Sequence, residues 1–329
     1  MDGLILADDT GAEIREITFT SYDFEIGADD NSFQINFLRG EYTEIPDGAR
    51  LYLPNTEFGG IFGQLKTDTE QDTVSAGGTT WRGMMRRKII IPPTGEDYAT
   101  DSGEINAIIK ARVEAALPDL FVGVSESTGV DVYNFRYSRY CTLEEGLSAM
   151  LKSVGYRLNI EYSQTEKAVV VSAVAIEDYS DDVEFSSDMR LNYQMQKQQN
   201  GINHLVCLGS GELRNRIVYH LYVDADGNIT DTQYYTGIED IEEVYDYSGA
   251  ELPELIQAGR QRLRERMSKN TFSIKIEPTL ELAVGDIVGG RDYLSGMTMT
   301  APVVGKIMRW ENGFRSIEYK LSDDVQTEL

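Results

Sequence analysis

Short runs in which apolar and polar residues alternate dominate residues 1–92. Phe33, Ile35 and Phe37 alternate with polar neighbours, which is the period-two pattern of a half-buried β-strand. A glycine- and aspartate-rich turn at 27–31 precedes this strand, and further turns interrupt the region at short intervals. Many short strands joined by frequent turns predict a β-barrel or β-sandwich.

Helical periodicity appears next. The pattern predicts a first helix that is capped by Asp101 or Ser102 and ends near Leu117, just before a proline. A second helix begins at Thr142, because Thr142 and Glu145 have the spacing of a capping box. Two apolar segments follow this helix and predict a pair of strands. This middle region is therefore predicted to be a small α/β unit.

The last region returns to strands after an acidic connector at 177–188, which has the composition of a solvated linker. One long amphipathic helix is predicted at about 251–268, with Pro253 in its first turn. Trp310 and Phe314 flank a Glu-Asn-Gly turn, which indicates a tight hairpin near the end of the sequence.

The predicted fold class is thus α+β and mainly β. We expect three domains. A first β-barrel covers 1–92, an α/β domain covers 93–177, and a second β-barrel that includes the long helix covers 178–329. A chain of 329 residues is long enough for two or three domains.

Composition narrows the classes of function. The chain carries 55 acidic and 30 basic residues, for a formal net charge of -25. Because DNA affinity comes mainly from basic side chains that neutralise phosphates, such an acidic surface is expected to repel nucleic acid and to let any DNA slide past without specific binding. No apolar stretch approaches the roughly 20 residues of a membrane-spanning helix, so stable membrane insertion is not expected.

The residues that usually perform catalysis or bind metals are scarce. The chain has two cysteines and two histidines. His204 and Cys207 have a metal-ligand spacing, but a zinc site needs three or four ligands, and Cys207 fits a buried apolar position better. Asp224–Asn228 places its glycine fourth rather than sixth, so a hairpin turn is favoured over a calcium loop. We predict no metal site.

Catalytic and cofactor motifs are also missing from the pattern. Ser210 lies between adjacent glycines, whereas a nucleophile elbow needs glycine two residues away on each side. Arg214 stands where a dinucleotide fingerprint needs its third glycine. Paired carboxylates carry little information among 55 acidic residues. The sequence therefore predicts no catalytic residues, no cofactor and no enzyme activity.

One dense basic cluster stands out in this acidic chain: Arg82, Arg86, Arg87 and Lys88. The cluster could bind an acidic surface of a neighbouring subunit. It could equally pair with acidic residues of its own chain. Both interpretations remain open at the level of sequence.

Four segments, taken in order, resemble the baseplate hub or tail-associated proteins of phages and prophage-derived particles. The first, 77–90, has paired glycines and ends in basic residues followed by apolar ones. The second is the helix and strand of 140–162, and the third is the glycine-serine segment at 203–216. The fourth consists of the last strands, at 282–320. The order and total length carry the resemblance, since each motif alone is weak.

The resemblance implies two tube-type β-barrels in each chain, with an intervening α/β domain, and a homotrimeric ring that adapts the sixfold tail tube to the threefold tip. It implies a conduit for DNA in a virion structural protein of the tail tip, made in the bacterial host cytoplasm. The implied partners are tail-tube and distal-tail or baseplate proteins and tail fibre or spike proteins. The alternatives are a spike-base protein of an injection or secretion system and, less strongly, a cell-wall hydrolase.

Overall fold

The computed structural model describes residues 3–27, 30–180, 192–198, 201–267, 269–276, 281–291, 298–322 and 326–328. The chain divides into two compact units. The first unit comprises Met1–Gln194 and Ser273–Leu329, and the second comprises Met195–Phe272. Each unit is described by itself below.

Strands supply most of the regular structure. The strands are β1 (Ile5–Ala7), β2 (Glu13–Glu16), β3 (Ser21–Gly27), β4 (Ser32–Leu38), β5 (Arg50–Tyr52), β6 (Gly59–Asp68), β7 (Thr73–Thr80), β8 (Thr100–Glu104), β9 (Phe121–Gly123), β10 (Asp131–Arg136), β11 (Tyr156–Ser163), β12 (Ala168–Ala175), β13 (Asn192–Gln198), β14 (His204–Leu208), β15 (Val218–Val223), β16 (Ile229–Thr230), β17 (Glu242–Asp246), β18 (Lys269–Ile276), β19 (Ile287–Arg291), β20 (Thr298–Glu311), β21 (Phe314–Leu321) and β22 (Gln326–Glu328).

Four α-helices lie in the described ranges: α1 (Trp81–Arg86), α2 (Ile105–Ala116), α3 (Leu143–Lys152) and α4 (Leu252–Arg266). Short 3-10 helices span Arg39–Glu41, Leu213–Asn215 and Gly237–Glu239. None of the helices in these ranges has both the length and the apolar character that crossing a bilayer requires.

The main sheet of the first unit joins strands from both ends of the sequence. From β18 onward its hydrogen-bonded order is β18-β21-β20-β3-β4-β7-β6-β5-β1-β2, and β19 and β22 also pair with β20. The central pairing is antiparallel and sets Lys306 of β20 opposite Ile26 of β3. Gly27 ends β3 with a φ of +130°, and a Cβ there would lie only 2.2 Å from the carbonyl oxygen of Val304. Glycine therefore permits this close approach of the two strands.

Alternating burial confirms the strand pattern predicted for 32–37. Phe33, Ile35 and Phe37 are buried, while their polar neighbours lie toward solvent. The Phe33 ring stacks on that of Phe24 from β3, with centroids 5.3 Å apart. Period-two patterning thus directs the large side chains of adjacent strands into one core.

The middle of the chain forms helices and a small sheet, as the sequence predicts. The parallel partner of β12 is β9, and its antiparallel partner is β11. Helix α3 begins with the predicted capping box, in which Thr142 Oγ1 accepts the backbone N–H of Glu145 and the Glu145 carboxylate accepts that of Thr142. Because the first N–H groups of a helix have no partner within the helix, this exchange fixes its starting point.

The predicted start of α2 is wrong by a few residues. Asp101 and Ser102 lie in β8, and the helix is capped by Glu104, whose side chain accepts the N–H of Ala107. The Asp101 carboxylate instead accepts two hydrogen bonds from Arg112. A tertiary ion pair has therefore prevailed over a local capping preference.

The second unit is a four-stranded sheet with one helix on it. The strand order is β16-β15-β14-β17, in which β14 runs parallel to β17 and antiparallel to β15. Helix α4 covers one face through Leu255 and Leu263, which pack with Leu205 and Leu221 of the sheet. Gly259 allows the close approach, since a Cβ there would lie 2.6 Å from the Cys207 sulfur. The predicted long amphipathic helix is confirmed.

The mainly β, α+β class is confirmed. In the ranges that the structure describes, the strand path of the main sheet is open, so closure into two barrels stays a prediction. The predicted division at residues 92 and 177 also stays a prediction. Most of the acidic connector, 181–188, lies outside the described residues.

Candidate functional site

The basic cluster singled out by the sequence lies on and after helix α1. Thr80 caps the helix, because its hydroxyl oxygen accepts the backbone N–H of Gly83 at 3.3 Å. Within this short element, Trp81 and Arg82 point into the core, while Arg87 and Lys88 follow the helix end and are exposed. The structure therefore divides the four predicted contact residues into an inner set, which is Arg82 alone, and an outer set of Arg86, Arg87 and Lys88.

Arg82 belongs to the inner set and forms buried ion pairs within its own chain. Only 1% of its surface is exposed. Its Nε donates to Glu57 Oε1 at 2.5 Å, and its Nη1 donates to Glu144 Oε1 at 2.8 Å. Glu57 precedes β6 and Glu144 lies in the first turn of α3, so one guanidinium joins three separate segments. For Arg82, intramolecular pairing is the observed arrangement.

Lys306 extends this network from β20. Its Nζ lies 3.7 Å from Glu57 Oε2. Burial alone raises the pKa of Glu57, but the charges of Arg82 and Lys306 outweigh burial, so the pKa of this carboxyl is lowered. Burial lowers the pKa of Lys306 more than Glu57 raises it. We call Glu57, Arg82, Glu144 and Lys306 the buried ion cluster.

A cavity adjoins the buried ion cluster. It has a volume of about 180 Å³, and its lining includes Glu57, Lys306 and Arg157. Arg157 Nε donates to Asp286 Oδ1 at 2.6 Å. Among the described residues, Arg82 Nη2 and Arg157 Nη1 are buried without a hydrogen-bond partner. Buried donors of this kind usually bind an ordered water molecule, and the polar cavity that Arg157 lines is large enough for one.

The outer set continues into an apolar segment. Arg86 is half-buried, donates to the carbonyl oxygen of Gly27 at 2.9 Å and pairs with Glu145 at 3.1 Å. Beyond it, Arg87, Lys88, Ile89 and Ile91 are all exposed, and Ile91 exposes 65% of its surface. Neither Arg87 nor Lys88 makes an ion pair with any described residue. We call Arg87, Lys88, Ile89 and Ile91 the contact strip.

The other candidates from the sequence have simple structural roles. Asp224 Oδ1 accepts the backbone N–H groups of Asp226 and Asn228, so this carboxylate closes the hairpin between β15 and β16. The hydrogen bond from Asn228, followed by others in the turn, lowers the pKa of Asp224 despite some desolvation. Ser210 lies in the turn after β14, and its hydroxyl donates to Glu251 at 3.0 Å.

His204 and Cys207 do not share a site. They lie three residues apart on β14, so they point to opposite faces of the sheet. Cys207 is buried under α4, and burial raises the pKa of its thiol to about 11. His204 instead lies beside Asp240 and Glu242, a group that the sequence analysis missed. Strand pairing produces this group, and no local spacing in the sequence signals it.

Comparison with solved structures finds matches that extend over nearly the whole chain. A 43 kDa tail protein of prophage MuSo2 from Shewanella oneidensis is 12% identical and matches with a TM-score of 0.50, covering 98% of both chains. The chain has the fold of this prophage tail protein.

Two further matches have lower scores. A tail protein from Neisseria meningitidis is 14% identical with a TM-score of 0.47, covering 98% of this chain and 97% of its own. A chain in the activated baseplate of phage P2 is 8% identical with a TM-score of 0.47, covering 98% of both chains. No protein-family model and no curated protein matches the sequence.

Proposed function

We propose that this protein is a structural component of a phage tail tip or baseplate hub. The observation that carries the proposal is the fold match to the Shewanella prophage tail protein, which extends over 98% of both chains. We assign the protein no catalytic step.

In this proposal three copies form a ring around the tail axis. Each copy contributes two tube-type barrel regions, so the ring adapts a sixfold tail tube to a threefold tip. Tail-tube, distal-tail or baseplate, and tail fibre or spike proteins are its neighbours in the virion. Rings of this kind need extensive and complementary surfaces between adjacent copies.

The contact strip suits such a surface. Its two cations lie on a chain whose net charge is -25, so most surfaces of a second copy present negative charge to them. Ile89 and Ile91 add exposed apolar area beside these charges. The same acidic excess would let DNA pass through a central channel without binding to its wall.

The first test is the assembly state. We expect light scattering to give the mass of a trimer, and negative-stain images of the same fraction to show a ring with an open centre. A monomer that stays monomeric when the tail-tube or distal-tail partner is added would contradict the proposal, and assays on cell-wall substrates would then be the next step.

Charge reversal tests the contact strip directly. We expect Arg87→Glu combined with Lys88→Glu to shift the trimer toward monomer, because two acidic side chains would then face an acidic neighbour. The matched control combines Arg39→Glu with Lys66→Glu, which reverses two other exposed cations of the first unit. The strip is not the contact if both double variants keep the mass of the unmodified ring.

A further inference from the structure

The face of the second unit that α4 leaves uncovered carries a cluster of metal-binding side chains. His204 of β14 lies opposite Tyr222 on one side and opposite Glu242 on the other. His220 is two residues before Tyr222 on β15, so its side chain points to the same face, diagonal to His204. Asp240 reaches this face from the turn before β17.

Two carboxylates converge on one nitrogen of His204. The Nδ1 atom lies 3.1 Å from Asp240 Oδ1 and 3.0 Å from Glu242 Oε1. Although α4 packs on the opposite face of the sheet, His204 is only 5% exposed. A ring nitrogen carries at most one proton, so the two carboxylate oxygens share at most one donor at Nδ1.

Neighbouring groups hold the ligands in place. His204 Nε2 lies 2.8 Å from His220 Nδ1, which fixes the plane of the buried ring. The Tyr222 ring packs against it at a centroid distance of 4.4 Å. Gln233 Nε2 donates to Asp240 Oδ2 at 2.8 Å and leaves Oδ1 directed at His204. Such outer hydrogen bonds are typical of groups that orient metal ligands.

We propose that His204, Asp240 and Glu242 bind a divalent transition-metal ion of the zinc class. Zinc bonds to histidine nitrogen and carboxylate oxygen are about 2.0–2.2 Å long, so tetrahedral ligands lie about 3.4 Å apart. The two observed separations therefore need to open by only a few tenths of an ångström. Three protein ligands leave the fourth position for water.

The types of ligand atom favour a transition-metal ion over the hard cations calcium and magnesium. Calcium takes six to eight oxygen ligands, and magnesium keeps most of its waters, whereas imidazole with carboxylates suits zinc and its first-row neighbours. On binding, His204 Nδ1 gives its lone pair to the ion, and the ring proton moves to Nε2, which donates to His220 Nδ1. His220 then accepts through Nδ1 and carries its own proton on Nε2. The ion joins the Gly237–Glu239 turn region to β14 and β17.

Calorimetric titration of the full chain with zinc chloride tests the site. We expect one zinc ion per chain, and binding weakened by more than about tenfold in Glu242→Gln and in Asp240→Asn, because each replaces an anionic ligand by a neutral amide. The matched control is Glu239→Gln, which alters an exposed carboxylate next to Asp240 and should bind as the unmodified chain does.

A second measurement reads the imidazole itself. Nitrogen-15 spectra of histidine-labelled protein should show the His204 proton at Nδ1 without zinc and at Nε2 with zinc, with assignment from His204→Gln. The proposal is overturned if zinc does not bind, if Glu242→Gln binds it as tightly as the unmodified chain, or if the tautomer is unchanged at saturation. Calcium chloride in place of zinc should give no change in the spectrum.

Discussion

Two arginine–glutamate ion pairs, one in each unit, have similar geometry but differ in how deeply they are buried. In the first unit, Arg82 pairs with Glu57 and their side chains are only 2% and 7% exposed. In the second unit, Arg266 pairs with Glu243 at 2.8 Å on the surface of α4, with side chains 52% and 21% exposed. The distances are similar, but water solvates the second pair.

The difference shows which contacts each unit depends on. Removing one partner of a buried pair leaves an uncompensated charge, whereas exposed pairs are screened and contribute little. We therefore expect the first unit to depend on its buried ion cluster. The second unit should depend on the apolar contacts between α4 and the sheet, made by Leu205, Leu221, Leu255 and Leu263.

The largest effect is expected from Arg82→Met. The substitution leaves Glu57 and Glu144 buried without their shared partner, which should lower the free energy of unfolding by about 3–5 kcal/mol. Urea titration followed by circular dichroism measures the change. Arg87→Met is the control, because this exposed side chain pairs with no described residue and should change stability by less than about 0.5 kcal/mol. Equal losses of stability in the two variants would show that burial does not determine how much these arginines contribute.

Leu263→Ala should have the next largest effect. It leaves a cavity between α4 and the sheet, at a cost of about 2–5 kcal/mol, and the loss should be concentrated in the second unit. Hydrogen exchange resolved by residue measures it, through faster exchange in β14 and β15. Leu252→Ala makes the same chemical change at an exposed position of α4 and should leave these rates nearly unchanged. Equal acceleration in β3 and β4 would show that the two units unfold together.

The smallest effect is expected from Arg266→Met. The variant removes the exposed pair with Glu243, so the loss should stay below about 1 kcal/mol and shrink further as salt is added. Arg264→Met, an exposed change on the same helix, provides the reference. A loss as large as that from Arg82→Met would mean that burial does not govern these pairs.

Local features of the fold were predictable from sequence because their causes are local. The capping box of Thr142 and Glu145 and the alternation around Phe33 are each contained in a few residues. The hairpin after Trp310 is another such feature, and its Asn312 adopts the positive φ that the turn requires. The start of α2 was mispredicted because Asp101 is held by Arg112, which lies 11 residues away.

The sites depend on distant residues and were much harder to predict. The basic cluster was found from composition, but its division was not, because the partners of Arg82 come from positions 25 and 62 residues away. The group around His204 requires the pairing of β14 with both β15 and β17. A search of strand-paired faces for histidine beside carboxylate would have found it.

The pairing of β3 with β20 has a consequence for how the protein is made. Arg309 and Asp23 form an ion pair across this pairing, although they are 286 residues apart in sequence. On a ribosome, β3 emerges long before β20, so its edge toward β20 has no partner until β20 has been synthesised. An unpaired edge invites association between nascent chains, so the yield of folded protein should depend on chaperones and on the rate of translation.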